Sequence, residues 1–94
     1  MTIKRVVLDV LKPHEPSLPS LTGDLLEQLD VDGITATLVE IDEEVRTIRV
    51  VMEGEDLDLE QIESVIGELG ASIHSIDQIS VGDTIVADRP IRQR

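Results

Sequence analysis

VLDVLKPHEPSLPSL, Val7 to Leu21, passes from an apolar, β-branched run into Lys-Pro-His-Glu-Pro and then into leucines at helical spacing. Pro13, Pro16 and Pro19 stop a central strand from continuing, because proline lacks the N–H that a ladder needs. Ser17 is placed to cap a helix over about Leu18–Leu29, with Leu18, Leu21, Leu25 and Leu29 along one face. A strand therefore hands over to a helix across a loop that holds His14 and Glu15 between two prolines.

The other elements follow outward from that handover. Upstream, TIKRVVLDVL (Thr2–Leu11) completes a first strand. Downstream, DVDG turns the chain, and ITATLVEI (Ile34–Ile41) and VRTIRVVME (Val45–Glu53) form a hairpin across a short DEE connection. Asp58 caps a second helix, with Gln61 at the position a capping box uses. Leu59, Ile62, Val65, Ile66 and Leu69 supply its apolar face, and Gly70 ends it as a left-handed glycine does. SIHSIDQISV (Ser72–Val81) is the last long strand, and Thr84–Ala87 reads as a short edge strand.

The order βαββαβ is that of an α+β, ferredoxin-like sandwich. Right-handed crossovers arrange a four-stranded antiparallel sheet in the order 4-1-3-2, with both helices on one face. Residues 1–82 make the domain. Residues 83–94 form a C-terminal extension, expected to serve as a short edge strand in an assembly.

Composition narrows the class. The chain has 94 residues, 20 acidic against 8 basic side chains, a net charge of −12, no cysteine and no aromatic residue. One domain of this size buries only about 60–65% of its unfolded surface, so an added interface would help it. Without cysteine there is neither a disulfide framework nor a thiolate metal site. No run reaches the length of a membrane span and no signal-peptide pattern opens the chain, so a cytoplasmic protein with no membrane partner is expected. The acidic excess repels itself, and salt screens it, with a Debye length of roughly 3 Å at 1 M. With only Lys4 and Lys12 as lysines, this balance reads as adaptation to a salty, haloarchaeal cytoplasm. It also argues against a nucleic-acid partner, which calls for clustered Lys and Arg and for aromatic stacking. Arg89, Arg92 and Arg94 read as a frayed end or intersubunit ion pairs.

Strand alternation sorts the sheet into two faces. Val6, Leu8, Val10, Ile34, Ala36, Leu38, Ile48, Val50 and Met52 belong under the helices. The opposite face then shows Arg5, Val7, Asp9, Leu11, Thr35, Val39, Ile41, Arg49 and Val51, more apolar than a face meant for water. A second subunit is expected to cover it. In the last strand Asp77 shares a phase with Ile73, Ile79 and Val81. Either it is a buried carboxylate or a bulge shifts the register; its bland role is to cap nearby N–H groups or to pair with an arginine such as Arg5.

The topology gathers the His14–Glu15 loop, the acidic hairpin and the start of the last strand at one pole. LDVLKPHEPS (Leu8–Ser17), LVEIDEE (Leu38–Glu44) and IHSIDQ (Ile73–Gln78) resemble the archaeal domain-of-unknown-function family 211 over roughly the first 82 residues. That resemblance implies a ferredoxin-like fold, homo-oligomeric assembly and archaeal origin, and it brings no established activity. The matching positions are Asp9, Lys12, Pro13, His14, Glu15, Pro16, His74, Ser75 and Asp77.

Two function classes follow. The first is binding of a hard divalent cation, Ca²⁺ or Mg²⁺, by a subset of Asp9, His14, Glu15, Asp42, Glu43, His74 and Asp77, with Glu40 and Glu44 also within the acidic run. The second is a regulatory module that holds a small metabolite at a subunit interface. Against the first, DEE reads equally as a solvated turn, and His14 as a turn residue bonding across to the hairpin. An enzyme is the weaker reading, because no nucleophile, oxyanion donor or phosphate loop accompanies the histidines.

Overall fold

The computed structural model describes residues 1–87. It holds β1 (Ile3–Lys12), α1 (Leu18–Gln28), β2 (Gly33–Ile41), β3 (Arg46–Glu53), α2 (Leu59–Glu68) and β4 (Ser72–Val81). The sheet order is β2-β3-β1-β4, and every neighbouring pair is antiparallel. This is the expected 4-1-3-2 arrangement, and the fold is ferredoxin-like. In the single chain Thr84–Ala87 forms no strand. Arg89, Arg92 and Arg94 lie outside the described residues.

Local chemistry sets the element ends. Ser17 is the N-cap of α1, its Oγ accepting from the Ser20 N–H at 3.2 Å, and Pro19 sits in the first turn, where an N–H is not needed. Asp58 caps α2 by accepting from the Gln61 N–H at 3.2 Å. Gly70, at φ +89°, closes α2: its N–H reaches Gly67 O at 3.0 Å and the Ala71 N–H reaches Ile66 O at 3.1 Å. That pair of bonds satisfies carbonyls the helix end would leave orphaned.

The core lies between the sheet and both helices. Val6, Leu8 and Val10 of β1 meet Ile48, Val50 and Met52 of β3 under Leu21, Leu25, Ile62 and Ile66, all essentially inaccessible. Burying each such side chain contributes about 1.5–3 kcal/mol relative to leaving it in water. The helix-side phase expected of β1 and β3 holds throughout, but on β2 it weakens outward. Ile34 and Ala36 are half-buried and Leu38 is exposed.

Bulges re-sort the edge strands. On β4 the register against β1 shifts between Gln78 and Ile76 and again between Ser75 and Ile73, so Asp77 and His74 are extra residues. Ile79, Ile76 and Ile73 then face Val6, Leu8 and Val10, while Asp77 is exposed. The bulge, not a buried carboxylate, resolves the phase conflict. On β2 a shift between Leu38 and Glu40 sets Glu40 opposite Thr47 and Ile41 opposite Arg46. Cross-strand partners share a face, so Ile41 belongs to the helix side and not to the open face as alternation alone had it.

The open face mixes apolar and charged side chains, much as alternation has it. Val7 is 8% exposed and Leu11 and Val51 are half-buried, yet Arg5, Asp9, Arg49 and Glu53 stand among them. Arg5 forms an ion pair with Glu53 across the β1–β3 ladder, and its Nε donates to Gln78 Oε1 at 2.8 Å. Arg5 is thus committed to Glu53 and Gln78, not to Asp77.

Candidate functional site

The pole where β1 ends is organised by a residue the sequence presented only as part of a motif. Lys12 continues the helix-side phase of Val6, Leu8 and Val10, and it is only 4% exposed. A buried ammonium is costly unless its three donors find acceptors. Here they find loop carbonyls: Nζ donates to Pro13 O at 2.8 Å, to Pro16 O at 2.6 Å and more weakly to His14 O at 3.4 Å. The chain wraps from Pro13 to Pro16 around its own cation, and the Glu15–Pro16 peptide is cis. The signal for Lys12 was its phase, one step beyond a run of core residues.

The wrapped loop holds His14 outward against the hairpin. Its Nε2 lies 2.8 Å from Glu43 O. A carbonyl only accepts, so Nε2 carries the proton and donates. The hairpin is itself pinned: Asp42 Oδ1 accepts from the Glu43 N–H at 2.6 Å, and the Asp42 N–H donates to Val45 O at 2.9 Å. Arg46 adds a 3.3 Å bond from Nη1 to Asp42 O. Two connections far apart in sequence are joined at one point.

The remaining candidates are not drawn together. Glu15 and His74 are exposed, Asp9 is half-buried on the open face opposite Arg49 and Ser75, and Asp77 accepts from Ser75 Oγ at 2.7 Å. Of Asp9, His14, Glu15, Asp42, Glu43, His74 and Asp77, only His14, Asp42 and Glu43 share a network, and it runs through backbone groups. Among the described residues no three His, Asp or Glu side chains converge on a point that could hold a metal ion.

A groove of about 520 Å³ opens at the opposite pole, where β1 begins, α1 ends and α2 starts. Ile3, Leu29, Leu57 and Ile62 line it together with Asp30, Asp56, Asp58 and Glu60. Among the described residues no helix is long and apolar enough to cross a membrane.

The model of domain-of-unknown-function family 211, described as "Uncharacterized ArCR", matches residues 4–94. The match runs through the tail, beyond the residue 82 at which the motif resemblance ended. "Uncharacterized protein MJ0319" of the archaeon Methanocaldococcus jannaschii is 41% identical over 86 residues, covering 92% of this chain and 89% of that one. With the βαββαβ fold and the Lys12 loop in place, the conclusion on ancestry is direct: this chain belongs to domain-of-unknown-function family 211.

Proposed function

We propose that the working form of this chain is a homo-oligomer, a small self-assembling module that takes a divalent cation such as Ca²⁺ or Mg²⁺ at its acidic and histidine-bearing loops. One observation carries the assembly: large apolar side chains stand exposed along both edge strands, Leu38, Val39 and Ile41 on β2 and Ile76, Ile79 and Val81 on β4. Exposed apolar area of that extent favours a protein partner over water. The cation draws on the exposed carboxylates of Glu15, Glu43 and Glu44 beside the His14 loop. Because the candidates do not converge in one chain, its ligands would be pooled from neighbouring copies.

The second reading, a regulatory module for a small metabolite, draws on the groove of about 520 Å³. Its four carboxylates suit a cationic ligand with an apolar portion.

Sedimentation velocity in high KCl, with and without chelator, followed by calorimetric titration of Ca²⁺ and Mg²⁺, tests the proposal. A discrete multimer with saturable cation uptake is expected. A single-chain mass in every condition would sink the assembly, and absence of binding heat would sink the cation half alone.

A further inference from the structure

We infer that the C-terminal segment of this chain, residues 88–94, folds back onto its own domain and straps the crevice between α2 and the outer side of β4, with Ile91 entering the crevice and Arg89 and Arg92 pairing with Glu60 and Glu63. The segment lies outside the described residues. Three observations carry the inference: the course of the residues just before it, the apolar crevice on that course, and the sorting of charge along the chain.

The course comes first. β4 ends at Val81, and Gly82, at φ +124°, donates its N–H to Thr2 O at 2.8 Å. Beyond it Thr84, Val86 and Ala87 line one cleft together with Gln78, Ile79 and Val81, so the chain has reversed and comes back along β4. Further back along the same strand a crevice of about 210 Å³ opens between Ile73 and Ile76 of β4 and Leu59 of α2, with Glu60 and Glu63 beside them. Ile76 is 51% exposed there. From Gln78 to Ile73 is about 17 Å at the usual strand rise. Residues 88–94, extended, span about 23–25 Å, enough to pass the crevice and end beyond it.

Charge selects the occupant. From Gly54 to Asp88 the chain contains no Lys or Arg, and that stretch includes all of α2 and β4. Glu60 and Glu63 are exposed one helical turn apart, and among the described residues neither meets a cation. Like charges at that spacing repel. The sequence then turns basic at once: RPIRQR, Arg89 to Arg94, holds three of the eight basic residues of the chain. A guanidinium matches a carboxylate with a fork of donors, and Ile91 between Arg89 and Arg92 is the large aliphatic side chain an apolar crevice takes. The contact lies within one chain and does not depend on the assembly proposed above. Leu38, Val39 and Ile41 of β2 stay outside it.

The test uses the full-length chain, dilute, at the lowest KCl at which far-UV circular dichroism shows the fold, with isoleucine methyl resonances read by NMR. Two variants change the segment alone, Ile91→Ser and the triple Arg89→Glu, Arg92→Glu, Arg94→Glu. A third reverses the crevice, Glu60→Arg with Glu63→Arg, and a fourth combines both reversals. The expected result is that the first three variants each shift the Ile73 and Ile76 methyl resonances and leave Ile34 and Ile41 unmoved. The combined variant should return Ile76 toward its wild-type position, since the opposite charges again meet. Ile73 and Ile76 resonances unchanged by the segment variants would overturn the inference. So would shifts at Ile3 and Ile62 in their place, which would put the segment in the groove at the start of α2. Shifts that vanish on further dilution would mean that the segment reaches a neighbouring copy, and the strap within one chain would again be overturned.

Discussion

β1 and β3 have a strand on each side and helices above, yet they carry most of the sheet's charges: Lys4, Arg5, Asp9 and Lys12 on one, Arg46, Arg49 and Glu53 on the other. β2 and β4 have one side free, and between them they carry Glu40 and Asp77. Charge ordinarily collects where water is. At the centre, three of these charges have specific partners: Arg5 on Glu53 and Gln78, Lys12 inside its loop. The edges lack such partners and hold β-branched and aliphatic side chains in their place. In this sheet the fully buried side chains are on β1 and β3, and the large exposed apolar ones are on β2 and β4.

That contrast can be broken most directly by comparing one side chain from each region. Leu8→Ala removes a fully buried side chain from β1 and should cost about 2–5 kcal/mol of unfolding free energy. Val39→Ala, at a β2 residue 56% exposed, should stay within about 0.5 kcal/mol when measured on dilute single chains. Urea titrations followed by far-UV circular dichroism suit both, since the chain has no aromatic residue to report by fluorescence. A Val39→Ala loss comparable to that of Leu8→Ala would erase the distinction between centre and edge.

A smaller effect sharpens the account of charge at the centre. Lys12→Met keeps the apolar stem and removes the ammonium, leaving the Pro13 and Pro16 carbonyls without their donor. A loss of roughly 1–3 kcal/mol is expected, the usual cost of stranding buried polar groups. The His14 ring resonances should move with it, because the loop that aims His14 at Glu43 depends on that cage. Unchanged stability together with unchanged His14 resonances would mean that the prolines alone set the loop.

The smallest effect concerns the open face. A double-mutant cycle on Arg5 and Glu53, both partly exposed, should return a coupling of about 0.2–1 kcal/mol that fades as KCl rises. A coupling that persists at high salt would mean the open face is covered, and that exposed surface is not confined to the edges where the contrast puts it.

Much of the fold was legible because the signals were local. Ser17, Asp58 and Gly70 sit at helix ends for reasons of backbone chemistry, and the βαββαβ order followed. Leu8 and Val50 were legible as core because strand alternation holds wherever two regular strands pair. Ile41 and Asp77 were not, because a bulge depends on how one strand fits another far away in sequence. The site was legible only in part. The topology brought His14 to the hairpin, but the acceptor is a backbone carbonyl, which side-chain identity does not announce. The Lys12 cage was hidden for the same reason: three carbonyls from a proline-rich loop leave no residue-type signature.

Lys12 also has a consequence for how this pole responds to its surroundings. A loop folded around a bound metal ion holds its shape only while the free ion exceeds its dissociation constant. The ion inside residues 13–16 is covalently attached to β1 and shielded from solvent, so its occupancy has no dissociation constant to exceed. Chelation, dilution and changes in ionic composition leave it in place. Any mobile cation or neighbouring chain that arrives at this pole meets a geometry already set, and its binding free energy is spent on recognition and not on ordering the loop.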